Sequence, residues 1–420
     1  LNETEGSPAS PGTRSNLAAL VITRSAQIVS GLIVSLVVAR WLSREDYGLY
    51  RWVWAVVSVA TVGSTLGLDA LITRRVARDP ESAGRLVPLV LQAAAVLAVP
   101  TTLAIVGYVA LRDPRPEVVL LALLGALTLA GQAAAQMVTG VLLGLRKLGG
   151  EVAPVLGGRL LFTVGQVVAV AVGGGLVSLY GVRLAASWLT VAMLLAALGR
   201  TVVVSSWAVE PGEVTKLIRA GRAFGATVFF GAIYAQADLL LLEAMRGEVE
   251  VARYAAPASV LLQLALVANI VSRGVFPRMA QLATEPAAAG ELLALQARVL
   301  LAVSVPIAVG GVVVAPDLIP WLFGEAYNDA VLPFTLLVIA VPLRFLNAGF
   351  GVALTAHDRQ RQRARVDLLG AVFNVGLNLY AVPRWGAEGA ALVTLGTDLL
   401  LCVVLRWELA AVLPRMGLWR

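Results

Sequence analysis

From Leu17 to Ala39 the chain runs for more than twenty residues with a single charge, Arg24, and apolar runs of similar length recur along its whole length. An α-helix needs about 20 such residues to cross the roughly 30 Å of hydrocarbon in a bilayer. Runs of this length are read as membrane-spanning helices. The windows predict spans near 17–39, 50–73, 86–111, 118–145, 152–173 and 176–199. A polar connector carrying Glu210, Pro211, Gly212, Glu213 and Lys216 follows, then spans near 217–242, 252–276, 289–314, 329–356, 364–383 and 386–412. The expected fold class is an all-α integral membrane protein of about 12 transmembrane helices. Its expected organisation is a disordered cytoplasmic tail over 1–16, an N-lobe over 17–205, a connector over 206–216 and a C-lobe over 217–420. The first span is expected to act as its own insertion signal.

Composition excludes several classes of function. Hydrophobic residues make up 59% and charged residues 14% of the 420, far from the balance of a soluble domain. The net charge of +7 comes largely from arginines beside apolar spans, which points to the membrane and not to nucleic acid. Cys402 is the only cysteine and His357 the only histidine, so no internal disulfide and no multi-Cys/His metal cluster is expected.

A weak internal echo divides the chain into two similar halves. Placing Tyr50 on Tyr254 also places Arg74 on Arg278, and a slightly longer offset places Gly181 on Gly389. Repeats of this kind build many transporters, with the binding site between them. With the N-terminus inside, fifteen Lys and Arg residues fall in cytoplasmic loops and eight outside. That bias predicts cytoplasmic termini.

The embedded polar residues are the functional candidates. Arg24, Gln27, Gly31 and Ser35 share one face of the first span, and Arg51, Trp54, Ser58, Thr61, Thr65, Asp69 and Thr73 form a stripe along the second. Later spans carry Arg222, Tyr234 and Asp238, then Asn269 and Arg273, then Arg344 and Asn347, and finally Asp367, Asn374, Asn378, Thr394 and Asp398. Charges at bilayer depth face protein or a watery cavity and mark transport pathways, and mutual pairing is the competing explanation, above all for Asp367 and Asp398. The substrate-binding set is therefore Arg24, Gln27, Arg51, Asp69, Arg222, Asp238, Asn269, Arg273 and Arg344. Arginines dominate it, and guanidinium forks match phosphate oxygens, so the expected ligand is anionic, with a diphosphate headgroup as the favoured choice.

The segment Ala39-Arg40-Trp41-Leu42-Ser43-Arg44-Glu45-Asp46-Tyr47-Gly48-Leu49-Tyr50, followed by Gly67-Leu68-Asp69 and Arg74-Arg75, resembles the first hairpin of polysaccharide flippases of the multidrug/oligosaccharidyl-lipid/polysaccharide exporter superfamily. Trp321-Leu322-Phe323-Gly324-Glu325-Ala326-Tyr327 and Pro383-Arg384-Trp385-Gly386-Ala387 are similar to its C-terminal half. The resemblance implies two pseudo-symmetric six-helix lobes in a V-shaped exporter fold. It implies a multi-pass protein of the prokaryotic plasma membrane that moves polyprenyl-diphosphate-linked oligosaccharide to the outer leaflet by alternating access, for surface polysaccharide biosynthesis. Basic cavity residues would hold the headgroup, and Arg24 and Arg273 stand on suitable helices. The expected partners are membrane lipids, the lipid-linked oligosaccharide and polysaccharide assembly proteins, around a monomer, with no nucleic acid. No cofactor is expected, and Asp69 or Asp238, pairing with an arginine in one state only, would couple transport to protons, sodium or membrane potential. A multidrug cation antiporter of the same superfamily is the alternative. A membrane glycosyltransferase or polymerase is a third reading, weakened by the absence of a large loop bearing catalytic carboxylates.

Overall fold

The computed structural model describes residues 11–145, 149–204 and 206–413, with the side chains of 11–21, 24, 62, 70, 149–151, 222–231, 234 and 273 outside the description. The described residues form helices and no strand. In chain order they are α1 (Pro11–Trp41), α2 (Arg44–Val59), α3 (Thr61–Thr65), α4 (Leu68–Arg78), α5 (Ala83–Arg112), α6 (Pro116–Gly144), α7 (Gly149–Ala171) and α8 (Leu176–Gly199). After the connector come α9 (Glu213–Arg246), α10 (Glu248–Gln281), α11 (Pro286–Phe323), α12 (Val331–Ile339), α13 (Val341–Ala356) and α14 (Gln360–Ala410). Eight helical stretches among the described residues are long and apolar enough to cross a membrane, and the last of them, α14, has 51 residues. At 1.5 Å per residue a straight α14 would reach about 76 Å, more than twice the hydrocarbon thickness. It is instead broken at Gly386, whose φ of 53° lies outside the helical region. With α14 counted as two passes, and with α1, α2–α4 and α9 supplying the charge-bearing ones, the fold is the expected all-helical membrane protein of about 12 spans.

The structure changes three local expectations. α1 starts at Pro11, inside the segment expected as tail, with proline at a position where its missing amide costs nothing. The segments 40–49 and 243–251, outside the expected spans, are almost wholly helical, because α1 and α2 are separated only by Leu42 and Ser43, and α9 and α10 by Gly247 alone. Ser43 accepts a hydrogen bond from the Asp46 amide at 3.1 Å, and Glu45 and Asp46 sit in the first turn of α2, where carboxylates favour the positive helix end. Finally, the second span is interrupted at Ala60 and at Leu66–Gly67, so the residues of its polar stripe are divided among α2, α3 and α4.

The chain clusters into two compact units. Unit 1 comprises Leu1–Ser30, Gly63–Ala169 and Val177–Gly225. Within it α6 packs on α4 and α5, around an apolar core that includes Ile72, Val76, Val90, Met137, Val141 and Leu194. Unit 2 comprises Gly31–Val62, Val170–Leu176 and Ala226–Arg420. There α10 packs on α2 and α13, and α13 packs on α11 and α14, with Met279, Leu293, Phe350, Leu354, Leu405 and Leu409 in the core. Gly48 of α2 lies against the backbone of Glu248 so closely that a β-carbon there would collide with the carbonyl group.

Candidate functional site

Three helices of unit 2, one of them in two halves, carry polar groups into a buried cluster. Asp238 stands near the end of α9, Tyr254 in the second turn of α10, Asn374 and Asn378 one turn apart on the first half of α14, and Thr394 and Asp398 one turn apart on its second half. The four-residue spacing puts each pair on one helix face. Asp238 is 8% exposed, and both its oxygens are engaged. The Tyr254 hydroxyl donates to Oδ2 at 2.5 Å and the Thr394 hydroxyl to the same atom at 2.9 Å, while the Asn378 amide donates to Oδ1 at 2.7 Å. Asn378 also donates to the Asn374 side-chain oxygen at 3.1 Å.

The break at Gly386 makes this convergence possible. Asn378 and Thr394 are sixteen residues apart, about 24 Å along a straight helix, yet they bind the same carboxylate. The chain must therefore reverse between them. The Ala387 amide, at the start of the second half, donates to Glu250 of α10 at 2.7 Å, which satisfies a helix-terminal amide with a carboxylate.

One turn beyond Thr394, Asp398 forms an ion pair with Arg344 of α13. Nε and one terminal nitrogen of the guanidinium lie 3.0 and 2.9 Å from Oδ2, and the Asn347 amide donates to the Asp398 carbonyl at 2.9 Å. Asp398 is 4% exposed and Arg344 31%. Chemically, the cluster is a buried carboxyl group held by neutral donors beside a compensated ion pair. The Asn378 side-chain oxygen is buried without a hydrogen-bond partner among the described residues, a further hard acceptor on a side chain that also bonds the carboxylate. Oxygen donors of this kind suit a proton or an alkali cation and not a soft metal.

The sequence-expected site residues fare differently. The side chains of Arg24, Arg222, Arg273 and Tyr234 lie outside the described residues. Asp238 and Arg344 are brought into unit 2 on networks one turn apart, and among the described residues Asp238 is held by Tyr254, Thr394 and Asn378. Arg51 is half-buried in unit 2, with its Nε buried and lacking a hydrogen-bond partner among the described residues. Asp69 lies in the first turn of α4 in unit 1, and Gln27 is half-buried on α1. Asn269 is exposed and donates to the Ala265 carbonyl of its own helix at 2.9 Å. The pairings expected of Asp398 and Asp367 are present, the second as an Arg363–Asp367 contact at 3.8 Å. Tyr254 was missed because a scan for charges passes over a phenol. Its signal is a tyrosine two turns inside an apolar helix, where the hydroxyl needs a partner.

The sequence matches the family described as polysaccharide biosynthesis protein over residues 15–283. A comparison with curated protein sequences found no match. Among solved structures, the lipid II flippase MurJ in an inward closed conformation is similar with a TM-score of 0.71 at 10% identity, over 93% of this chain and 86% of that one. An inward-facing multidrug resistance MATE family transporter of the MOP superfamily is similar with a TM-score of 0.69 at 16% identity, over 95% of this chain and 99% of that one. An outward-facing structure of such a transporter gives 0.63 at 16% identity, over 96% of each chain. With its family match, two-pass α14 and twelve-span helical plan, the chain belongs to the polysaccharide biosynthesis protein family and has the fold of the MOP transporter superfamily.

Proposed function

We propose that this protein is a flippase that carries a polyprenyl-diphosphate-linked oligosaccharide from the cytoplasmic to the outer leaflet. The family match over residues 15–283 supports the substrate class, because it spans the helices that bear Arg24, Arg51, Arg222 and Arg273. Guanidiniums there would hold the diphosphate, the glycan would occupy water, and the polyprenyl chain would stay in lipid. The arginine bias of the loops supports cytoplasmic termini in a prokaryotic plasma membrane.

The buried Asp238 carboxylate carries the coupling half of this reading. It is surrounded by hydroxyl and amide groups with no guanidinium bonded to it among the described residues, so a proton or a sodium ion is the natural counter-charge. Occupancy would tighten α9, α10 and both halves of α14 around one point.

The same acid supports a second reading, a multidrug cation antiporter, since MATE transporters share the fold. Transport of lipid-linked oligosaccharide into proteoliposomes separates the two. The flippase reading expects uptake that falls at least about tenfold in Arg24→Ala and Arg273→Ala. Wild-type rates in both, together with export of cationic dyes, would transfer the assignment to the antiporter.

A further inference from the structure

We propose that one end of unit 1 is a docking surface for an anionic lipid leaflet, built from a basic collar and from an apolar strap that lies beside it. Val76 of α4, Leu86 of α5, Leu198 of α8 and Leu217 of α9 belong to one buried cluster, and each stands in the terminal turns of its helix. The ends of these four helices therefore meet at one face. Their chain neighbours are basic: Arg75 and Arg78 flank Val76, Arg85 precedes Leu86, Arg200 follows Leu198 by two, and Lys216 precedes Leu217. All five are exposed, and none forms an ion pair among the described residues, although Asp79, Glu81, Glu210 and Glu213 stand on the same segments. Arg85 lies in the first turn of α5, which holds no carboxylate. The helix field disfavours a cation there, and an anion from outside the protein would offset it.

The strap is the connector between α8 and α9. Val202, Val204 and Val209 pack on the buried cluster, whereas Val203 is 89% and Trp207 63% exposed. The Gln92 side-chain amide of α5 donates to the Trp207 carbonyl at 3.4 Å and ties the strap down. The span formed by α8 ends at Gly199, so these two apolar side chains stand beyond the segment that hydrocarbon would cover. Among Arg200, Ser206 and Glu210 they sit where a chain leaves a bilayer, the level that tryptophan prefers. Apolar side chains that gain by entering an interface and cations that gain from negative charge thus share one face. A leaflet rich in anionic phospholipid meets both needs at that depth. A soluble acidic ligand would neutralise the collar and leave Val203 and Trp207 in water. Docking would fix the connector to the leaflet, so that lipid charge bears on the segment leading into α9.

The test needs no substrate and so stands apart from the flippase reading. In a Cys402→Ser background, Val203→Cys carries an environment-sensitive fluorophore, and the full chain is placed in nanodiscs of phosphatidylcholine with increasing phosphatidylglycerol. Emission should shift to the blue as the anionic lipid rises, and high salt should reverse the shift by screening the collar. Arg75→Gln and Arg78→Gln, both at exposed positions that leave the core untouched, should each raise the phosphatidylglycerol fraction for half the response about fivefold. That is the factor supplied by about 1 kcal/mol per arginine near a negative surface. Trp207→Ala should weaken the response without changing its dependence on salt. Equal emission in neutral and anionic discs, or charge variants that titrate like the parent, would overturn the proposal. A probe that stays water-like in every disc and shifts only when soluble cell extract is added would assign the surface to a protein instead.

Discussion

Tyr254 donates a 2.5 Å hydrogen bond to the Asp238 carboxylate, joining α10 to α9 at a point where both side chains are buried. Hydrogen bonds to a charged acceptor are stronger than neutral ones, about 1.5–3 kcal/mol. Tyr254→Phe should therefore lower thermal stability by an amount in that range. Melting of the purified protein in detergent checks it, and an unchanged melting temperature would show that the phenol is dispensable.

Asp238→Asn keeps the shape of the side chain and removes its charge. If this acid takes the coupling ion, the variant should fold, bind substrate and lose the response of transport to an imposed proton or sodium gradient. Flux measured with and without each gradient decides the matter. A retained gradient response would place coupling elsewhere.

Arg344→Ala removes the guanidinium paired with the buried Asp398; a fully buried pair would cost about 3–5 kcal/mol, and the loss here should be smaller because Arg344 is 31% exposed. Arg344→Gln with Asp398→Asn removes both charges and should recover most of that stability. If the double variant is as unstable as the single one, the ion pair is not the cause.

Gly386→Ala tests the reversal of α14. A β-carbon there would press on the Glu250 carboxylate, and the φ of 53° disfavours any L side chain. A cost of about 1–3 kcal/mol is expected, visible as earlier unfolding and poorer expression. Gly376→Ala, with open space around its added carbon, is the control that should change little.

In the loop between α5 and α6, the Arg115 guanidinium bonded to Asp113 holds that carboxyl below its usual range. A lowered folded value stabilises above the ordinary carboxylate pKa, and the contribution is lost as pH falls through the lowered value. Asp113→Asn should melt slightly earlier than the parent at neutral pH and together with it in strong acid. A constant gap across the titration would rule out the charge as its source.

Much of the candidate site was legible before any coordinates. Asn374 and Asn378, Thr394 and Asp398, and Arg344 and Asn347 each stand three or four residues apart, and in an apolar helix that spacing announces a shared polar face. The break near Pro383–Gly386 was readable too, since no single crossing accommodates 51 residues. The stripe from Arg51 to Thr73 assumed one unbroken helix, and the turns at Ala60 and Leu66–Gly67 interrupt it, which periodicity does not show.

The sequence alone therefore determined the class of fold and the identity of most polar groups at membrane depth, because hydrocarbon imposes a fixed length and a steep penalty on each unsatisfied group. Only the tertiary structure decided their partnerships. Asp238 receives a phenol, a hydroxyl and an amide from three separate helical segments, and Arg344 pairs with Asp398 one turn further along α14. Those contacts join residues 16 to 156 positions apart. Helical spacing records which face a residue occupies, and the meeting of faces from different helices depends on how whole elements pack.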